Sequence, residues 1–398
     1  MTDERSIFMK FKERFSKKKK KATTVSGKMQ ETMALINFFA YTPGLEFVNG
    51  WKKSYRTAFA VFTNAAAFLI TSYTLAVSYK SKESSILTGF FAFNGMVWGK
   101  LIVIITKHDG FMSVVEFVVK VFDSNPTGPR ERILMGVAKL ISYHMIINLI
   151  GFATGYAIYS AFPLYDYFFL GKLTLVSPLL LPCIDPTTVT GYIITTSFNV
   201  FLVSFCLNVC ISTSALFFML VDAYGGLVSL IEHDFSEFDE ISKRKHVARN
   251  SDEKMRNIMM QLMDVSRFSN YLHELYSVIS TVQVVVSAIV ALVCLGAYLA
   301  INFTNILGGF VSFYTEMLMY CYIGQILDNT NMRIIYVISQ SKWYTYELKY
   351  QKDILIALYL AQNMQPIRIA GMIPLNFETG LMITNKIYTV FMFMLEFI

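Results

Sequence analysis

The sequence predicts an all-α integral membrane protein with seven transmembrane helices, a cytosolic amino terminus and an extracellular carboxyl terminus. Three observations lead to this fold class. Only 16% of the 398 residues are charged and 54% are hydrophobic, whereas soluble domains carry about 25% charged residues. The apolar residues are grouped into stretches of about 20, the length that crosses a hydrocarbon core of roughly 30 Å. Lysine and arginine are concentrated on alternate sides of these stretches.

Each apolar stretch is interpreted as one crossing of the membrane. The seven predicted spans are residues 58–77, 85–106, 134–161, 189 to about 231, 276–300, 306 to about 344, and 372–395. A helix covering 306–344 would extend nearly 60 Å at 1.5 Å per residue, about twice the hydrocarbon thickness. We therefore expect helices four to six to extend into a cytosolic anchor bundle, formed by roughly 215–275 and 325–365. A short amphipathic helix at 350–362 is expected to join it.

The distribution of basic residues sets the predicted orientation. Thirteen Lys and Arg residues precede the first span, and further basic residues fill the loops after the second and fourth spans. The opposite side holds only Lys80, Lys82 and Lys172. Because basic residues are retained on the cytosolic side, the amino terminus is expected inside. The net charge of +7 then belongs to the cytosolic face and requires no nucleic-acid partner.

The amino-terminal segment, residues 1–56, is predicted to be a cytosolic basic region, and residues 57–398 form the membrane domain. Ile7, Phe8, Phe11 and Phe15 lie at helical spacing and favour an interfacial helix. The lysine run at 17–21 is either a solvated tail or a site of attraction to anionic membrane lipid. The apolar stretch 33–48, interrupted by Pro43, is too short to span easily and is expected at the interface.

No pattern of reactive residues indicates an enzyme. The five cysteines are not spaced as a disulfide framework or a metal site, and no HExxH motif is present. No nucleophile occurs with a base at a typical spacing. We therefore expect no catalytic residue, no cofactor and no metal.

The last third of the chain carries family-specific residues. Those in the sixth helix are Cys321, Gly324, Leu327, Trp343 and Tyr344, and those that follow are Gln365, Pro366, Ala370, Gly371, Pro374, Leu375, Glu378, Thr379, Lys386 and Tyr388. In this pattern the chain resembles the insect odorant receptors. The related gustatory receptors, which end in a Thr-Tyr and Gln-Phe pattern not found here, and a secondary transporter remain as alternatives.

The resemblance implies an odorant-gated, non-selective cation channel that requires no G protein. The loop at about 232–254 is short, which resembles the odour-specific tuning subunits rather than their shared co-receptor. Such subunits form heterotetramers with the co-receptor in the plasma membrane of olfactory sensory neurons, in the dendrite. The expected ligand is a small, volatile, apolar odorant, and the sequence does not identify it.

The resemblance also places the pore at the last helix. Lys386, Thr389, Phe393 and Phe397 lie three to four residues apart, so one helical face presents them all. The two phenylalanine rings would form a constriction that gates by dewetting. The alternative is that they face lipid or neighbouring helices.

The ligand pocket is expected in the outer halves of helices two, three, four and six, where aromatic and amide side chains are frequent. The candidates are Phe90, Phe91, Phe93, Asn94, Asn148, Phe152, Tyr156, Tyr159, Thr195, Phe198, Asn199, Phe310, Phe313 and Tyr314. Ordinary packing is the alternative for each aromatic taken singly. Glu316, in the middle of the sixth helix, is a functional candidate because charge is costly at that depth. Lys100 is expected to extend toward the membrane surface.

Overall fold

Helices account for nearly all of the chain that can be described. The computed structural model describes residues 24–45, 55–78, 84–124, 127–171, 175, 177–182, 184–185, 187–242, 248–301 and 306–396. The expected interfacial helix around Ile7, the lysine run at 17–21 and Phe397 lie outside these residues.

Four helices precede the longest ones in the chain. They are α1 (Val25–Tyr41), α2 (Tyr55–Val77), α3 (Ser84–Thr106) and α4 (His108–Asp123). Thr24 caps α1, because its hydroxyl accepts a hydrogen bond from the Gly27 backbone N–H at 3.2 Å. Met29, Met33, Ile36 and Ala40 form one buried stripe along α1. Part of the stretch expected at the interface therefore packs against the bundle.

Four long helices form the frame of the molecule. They are α5 (Pro129–Leu170), α6 (Val189–Ser242), α7 (Ala248–Ile301) and α8 (Ile306–Gln340), of 42, 54, 54 and 35 residues. Proline occupies the first turn of α5, where its missing N–H costs no helical hydrogen bond. At 1.5 Å per residue the two longest helices reach about 80 Å. They are much longer than a hydrocarbon core is thick.

Six helices among the described residues are long and apolar enough to cross a membrane. They are α2, α3, α5, α6, α7 and α8, in the regions of the first six predicted spans. The last helix, α10 (Phe377–Glu396), is not among these six, and it contains the charged residues Glu378 and Lys386. It begins five residues later than the predicted seventh span. The preceding residues form a β-hairpin instead.

The hairpin joins α9 (Leu348–Gln362) to α10. Its strands, β1 (Arg368–Ile369) and β2 (Ile373–Pro374), pair antiparallel with Ile369 opposite Ile373. Ala370 and Gly371 have φ angles of 51° and 72°, and the Met372 N–H donates to the Ile369 carbonyl at 3.0 Å. Positive φ at both central positions is the geometry of a tight I′ turn. Glycine adopts it without steric cost.

The first half of α7, which precedes the predicted fifth span, is packed into the bundle. The first half of α7 buries Ile258, Leu262, Val265, Phe268 and Leu272, at the helical spacing expected for its amphipathic stretch. It packs there with α6, α8 and α9. Polar contacts cross the same region. The Tyr224 hydroxyl donates to the Asn331 side-chain oxygen at 2.5 Å, and the Tyr350 hydroxyl to the Asp252 carboxylate at 2.7 Å.

Candidate ligand-binding site

Five helices enclose a cavity of about 100 Å³ at the end of the bundle opposite α9. Each contributes residues three or four positions apart, which is one helical face. The lining residues are Ile86, Gly89, Phe90 and Phe93 of α3; Phe152, Gly155, Tyr156 and Tyr159 of α5; Val203, Leu207 and Cys210 of α6; Val290, Val293 and Cys294 of α7; and Ile306, Gly309, Ser312, Phe313 and Glu316 of α8. Dry cavities of about 150 Å³ bind single small aromatic molecules, so this one is in the range for a small ligand.

The cavity brings together part of the predicted aromatic set. Among the sequence candidates, those that line it are Phe90, Phe93, Phe152, Tyr156, Tyr159 and Phe313. Two pairs of rings meet edge to face: Phe93 and Phe313 at 5.2 Å between centroids, and Phe90 and Tyr159 at 6.4 Å. This geometry is favourable because the positive edge of one ring meets the negative face of the other.

The polar candidates lie elsewhere and hold helices and loops together. Asn94 donates to the Thr71 hydroxyl of α2 at 2.8 Å, and Asn148 donates to the Ser214 hydroxyl of α6 at 3.0 Å. Asn199 donates to the backbone carbonyls of Ser177 at 3.1 Å and Leu179 at 3.3 Å. All three amides are buried. Their hydrogen bonds offset the cost of removing them from water.

The remaining candidates are also outside the cavity lining. Phe91 is half-exposed and contacts the Phe68 ring of α2 at 4.6 Å. Thr195 is buried and Phe198 is partly buried near the start of α6. Phe310 and Tyr314 of α8 stack on each other at 5.6 Å. The Tyr314 hydroxyl then forms a hydrogen bond of 3.1 Å with the Thr384 hydroxyl of α10.

A buried ion pair lies at one end of the cavity. The Lys100 ammonium is 3.0 Å from the Glu316 carboxylate, with side-chain exposures of 0% and 6%. The expectation that Lys100 extends toward the membrane surface is wrong, because Glu316 provides a partner at the same depth. Glu316 is itself paired with Lys100. Pairing is the usual way in which a charge is tolerated inside a membrane.

A second, smaller cavity of about 20 Å³ adjoins the first. Asn148, Ser214 and Thr315 line it, and it shares Phe152, Ser312 and Glu316 with the larger cavity. Its volume corresponds to about one water molecule, and its polar lining fits one. Glu316 therefore lies between the two cavities.

Sequence reasoning missed the contribution of α7 and the small residues of the wall. Val290, Val293 and Cys294 line the cavity from α7, at positions i, i+3 and i+4. Gly155 allows α5 to approach α8, because a Cβ atom there would lie 2.0 Å from the Ser312 hydroxyl. The sequence prediction rested on aromatic and amide side chains. The helical spacing of small apolar residues on α7 was the available signal.

The candidate pore residues lie on the outer face of α10. Lys386, Thr389 and Phe393 are exposed, and Phe393 is 60% exposed. The opposite face packs on α7 and α8, with Ile387 buried and a Cβ at Gly380 only 3.2 Å from the Cys321 sulfur. Within one chain, these three side chains therefore lie on the side of α10 away from its own bundle.

One group of potential metal ligands occurs within the described residues. His233, Asp234 and Glu237 bring their ligand atoms within 4.8 Å of one another. Two cations already hold this site: Asp234 pairs with Arg130 and with Lys254, the latter at 3.1 Å. The group is accordingly a salt-bridge network that joins α5, α6 and α7.

The family model described as 7tm Odorant receptor matches residues 89–388. The chain belongs to the odorant receptor family. The match begins within α3 and continues into α10, so it includes at least part of every helix that lines the cavity. The resemblance indicated by residues 321–347 and 365–395 is thereby confirmed.

The fold of this odorant receptor is similar to that of solved insect receptors. The structure of olfactory receptor OR5 from Machilis hrabei matches with a TM-score of 0.74 at 14% identity, covering 93% of this chain and 98% of the other. The same receptor in complex with eugenol matches with a TM-score of 0.71 at 13% identity and the same coverage. The chain is thus a multi-pass membrane protein of a receptor and channel family, which is not a family of known enzymes.

Proposed function

We propose that this odorant receptor is the odour-specific subunit of an odorant-gated, non-selective cation channel, assembled as a heterotetramer with a co-receptor. Its place is the plasma membrane of olfactory sensory neurons. The observation that carries the proposal is that adjacent residues of α8 contact the cavity and α10. Phe313 lines the cavity, and the next residue, Tyr314, bonds to Thr384 of α10. A ligand that displaces Phe313 would therefore act on the residue next to the one that contacts α10.

The cavity suits a small, volatile and mainly apolar odorant. Its wall is built largely from aromatic rings, aliphatic side chains and glycine. Burial of a ligand there contributes roughly 25 cal/mol per Å² of apolar surface. The eugenol complex of the Machilis hrabei receptor supports an odorant-sized ligand for this fold.

Gating requires the ligand to bind the open arrangement more tightly than the closed one. Two contacts connect the helices around the cavity to α10. The Tyr314 hydroxyl meets Thr384 at 3.1 Å, and the Tyr322 ring contacts Phe377 at 5.8 Å. A shift of α8 on ligand binding would move both contacts, and with them the first half of α10.

The outer face of α10 is the proposed pore lining. Lys386 and Thr389 are the polar members of this face. Within a membrane they are in contact with water only if the face borders an aqueous path. Phe393 would supply the narrow apolar ring. We propose α10 as the seventh crossing, which takes the carboxyl terminus outside when the amino terminus is in the cytosol. The positive charge of Lys386 weakens the attraction of the pore for cations. A heterotetramer contains fewer copies of Lys386 than a homotetramer, so the effect is smaller.

The regions at roughly 215–275 and 325–365 are the proposed anchor between subunits. Apolar side chains on α9 are exposed although α9 is not one of the apolar spans: Leu355 is 69% and Tyr359 is 67% exposed. Large exposed apolar patches outside a membrane mark interaction sites. A second subunit would cover this surface.

The proposal is tested by patch-clamp recording of cells that express the chain with and without an insect odorant co-receptor. A cation current evoked by odorants only in the co-expressing cells is expected. Saturable uptake of a ligand with no current would instead indicate a transporter, for which the buried Lys100–Glu316 pair is the favouring observation. The topology is tested separately with an epitope tag after Ile398. Antibody binding to intact cells is expected, and binding only after permeabilisation would contradict the seven crossings.

A further inference from the structure

We propose that the Glu316 carboxylate is a hydrogen-bond acceptor for the ligand. On this proposal the cavity selects molecules that carry one O–H or N–H donor at the end of an apolar body. The inference rests on the proposed ligand role of the cavity and specifies which ligands it takes.

The first step is the direction in which the ion pair faces. Glu316 belongs to the cavity lining and Lys100 does not. The ammonium is completely buried and lies 5.5 Å from the centroid of the Tyr320 ring. Glu316 is therefore the member of the pair that lines the cavity, and a ligand there lies against it.

The second step is the spare capacity of the carboxylate. Lys100 donates to Oε1 of Glu316 at 3.0 Å. Among the described residues, the structure gives Oε2 no hydrogen-bond donor. Each oxygen of an ionised carboxylate can accept about two hydrogen bonds, so Oε2 retains acceptor capacity. The small cavity lined by Asn148 and Ser214 adjoins one side of Glu316 and the large cavity adjoins the other.

The third step is the charge of Glu316. Glu316 is the single charged residue among the lining residues of the described chain. The Ser312 hydroxyl already donates to the Gly308 carbonyl at 2.9 Å, and Tyr156 has a Ser204 partner at 3.4 Å. In apolar surroundings, a ligand donor forms a stronger hydrogen bond with an ionised acceptor than with a neutral one.

The ion pair also needs a reason to be present. Moving two charges out of water is expensive, and apolar side chains of similar volume often serve equally well for stability alone. A role in ligand selection accounts for a pair placed at the cavity wall.

The test compares ligands that differ only in the donor. The probes are 1-alkanols of six to ten carbons, each paired with the isomeric alkyl methyl ether, which has the same atoms and no O–H. For the native chain with co-receptor, the alcohol of the most active pair should have an EC50 at least about tenfold lower than its ether. In the volume-matched double variant Lys100→Met/Glu316→Met, the ratio should fall to within about twofold.

The ether response serves as the control for folding and gating. If the methionine double variant does not reach the cell surface, Lys100→Gln/Glu316→Gln takes its place, because it keeps a neutral acceptor and should give an intermediate ratio. An unchanged alcohol-to-ether ratio in either variant, or equal EC50 values in the native chain, overturns the inference.

Ligand-induced thermal stabilisation of the purified chain separates this inference from the channel proposal. Preference for the alcohol in that assay, with no current in cells, would refute the channel and retain the acceptor. A current in cells without a preference for the alcohol would refute the acceptor and retain the channel.

Discussion

Gly324 provides a direct test of the connection between α8 and α10. A Cβ atom at this position would lie 1.9 Å from the Leu375 carbonyl oxygen, about 1.5 Å short of the 3.4 Å at which ordinary contact begins. The obstacle is backbone, so rotation of a side chain cannot relieve it. Leu375 is buried and its N–H donates to the Ile367 carbonyl at 2.9 Å. Gly324→Ala must therefore push the hairpin away from α8.

The displacement should reach the start of α10. The Thr379 hydroxyl donates to the Pro374 carbonyl at 2.7 Å, so the first turn of α10 is tied to the strand that moves. Overpacking of this kind costs about 1–3 kcal/mol, which corresponds to a change of roughly 5- to 150-fold in a two-state equilibrium. Alanine itself favours a helix over glycine by up to about 1 kcal/mol. A loss of channel function in Gly324→Ala would therefore reflect the collision with Leu375 and not a weaker helix.

The assay is the odorant concentration–response curve of co-expressed channels, normalised to surface expression. Gly324→Ala is expected to reduce the maximal current or shift the EC50 by at least fivefold. Gly95→Ala is the matched control, because a Cβ atom there meets nothing within 4 Å. A Gly324→Ala receptor with native surface level, maximal current and EC50 would refute the reasoning.

Three further predictions address the coupling contact, the cavity and the anchor. Tyr314→Phe keeps the ring but removes the bond to Thr384, so we expect an EC50 shift of up to about tenfold. Thr384→Val should give the same shift and the double variant no additional one, whereas additive shifts would argue against coupling. Gly309→Ala adds a methyl group to the cavity wall; the most active alcohol should shorten by about one carbon, and an unchanged optimum would place the ligand elsewhere. Leu355→Arg should abolish co-precipitation with the co-receptor, while Glu253→Arg, at another exposed site, should not; equal recovery of both would exclude α9 from the interface.

Helix positions followed from the sequence because apolar length and periodicity reflect the environment of each helix directly. The sequence predicted a helix at 350–362, and α9 covers Leu348–Gln362. It also predicted a helix far longer than a bilayer after residue 189, and α6 continues to Ser242. The hairpin before α10 was not predicted. Its two-residue strands are too short to give an alternating pattern, and Ala370 does not signal a turn as Asn would.

The sequence candidates divide by residue type, because several of the aromatic ones line the cavity and the amides do not. Aromatics on α3 and α5 do line it, since those helices place one face inward. The buried amides connect helices and loops instead, because a polar side chain inside a bundle is as useful for joining helices as for binding a ligand. Asn94 illustrates this, with its bond to Thr71 of α2. Such partners lie far apart in the chain, and spacing along one helix does not show them.

The Lys100–Glu316 pair connects these arguments. Lys100 is on α3 and Glu316 on α8, so the pair joins two helices that both contribute to the cavity wall. Breaking it would leave a charge unpaired at a depth where this is very costly, so the two helices are expected to move together near Glu316. Phe313 and Tyr314 lie within one turn of Glu316. Ligand-driven movement of α8 would then pivot about this fixed point, and the contact from Tyr314 to Thr384 would transmit it to α10. The same charge that restrains the helix would therefore also contact the ligand, which couples ligand selection to gating.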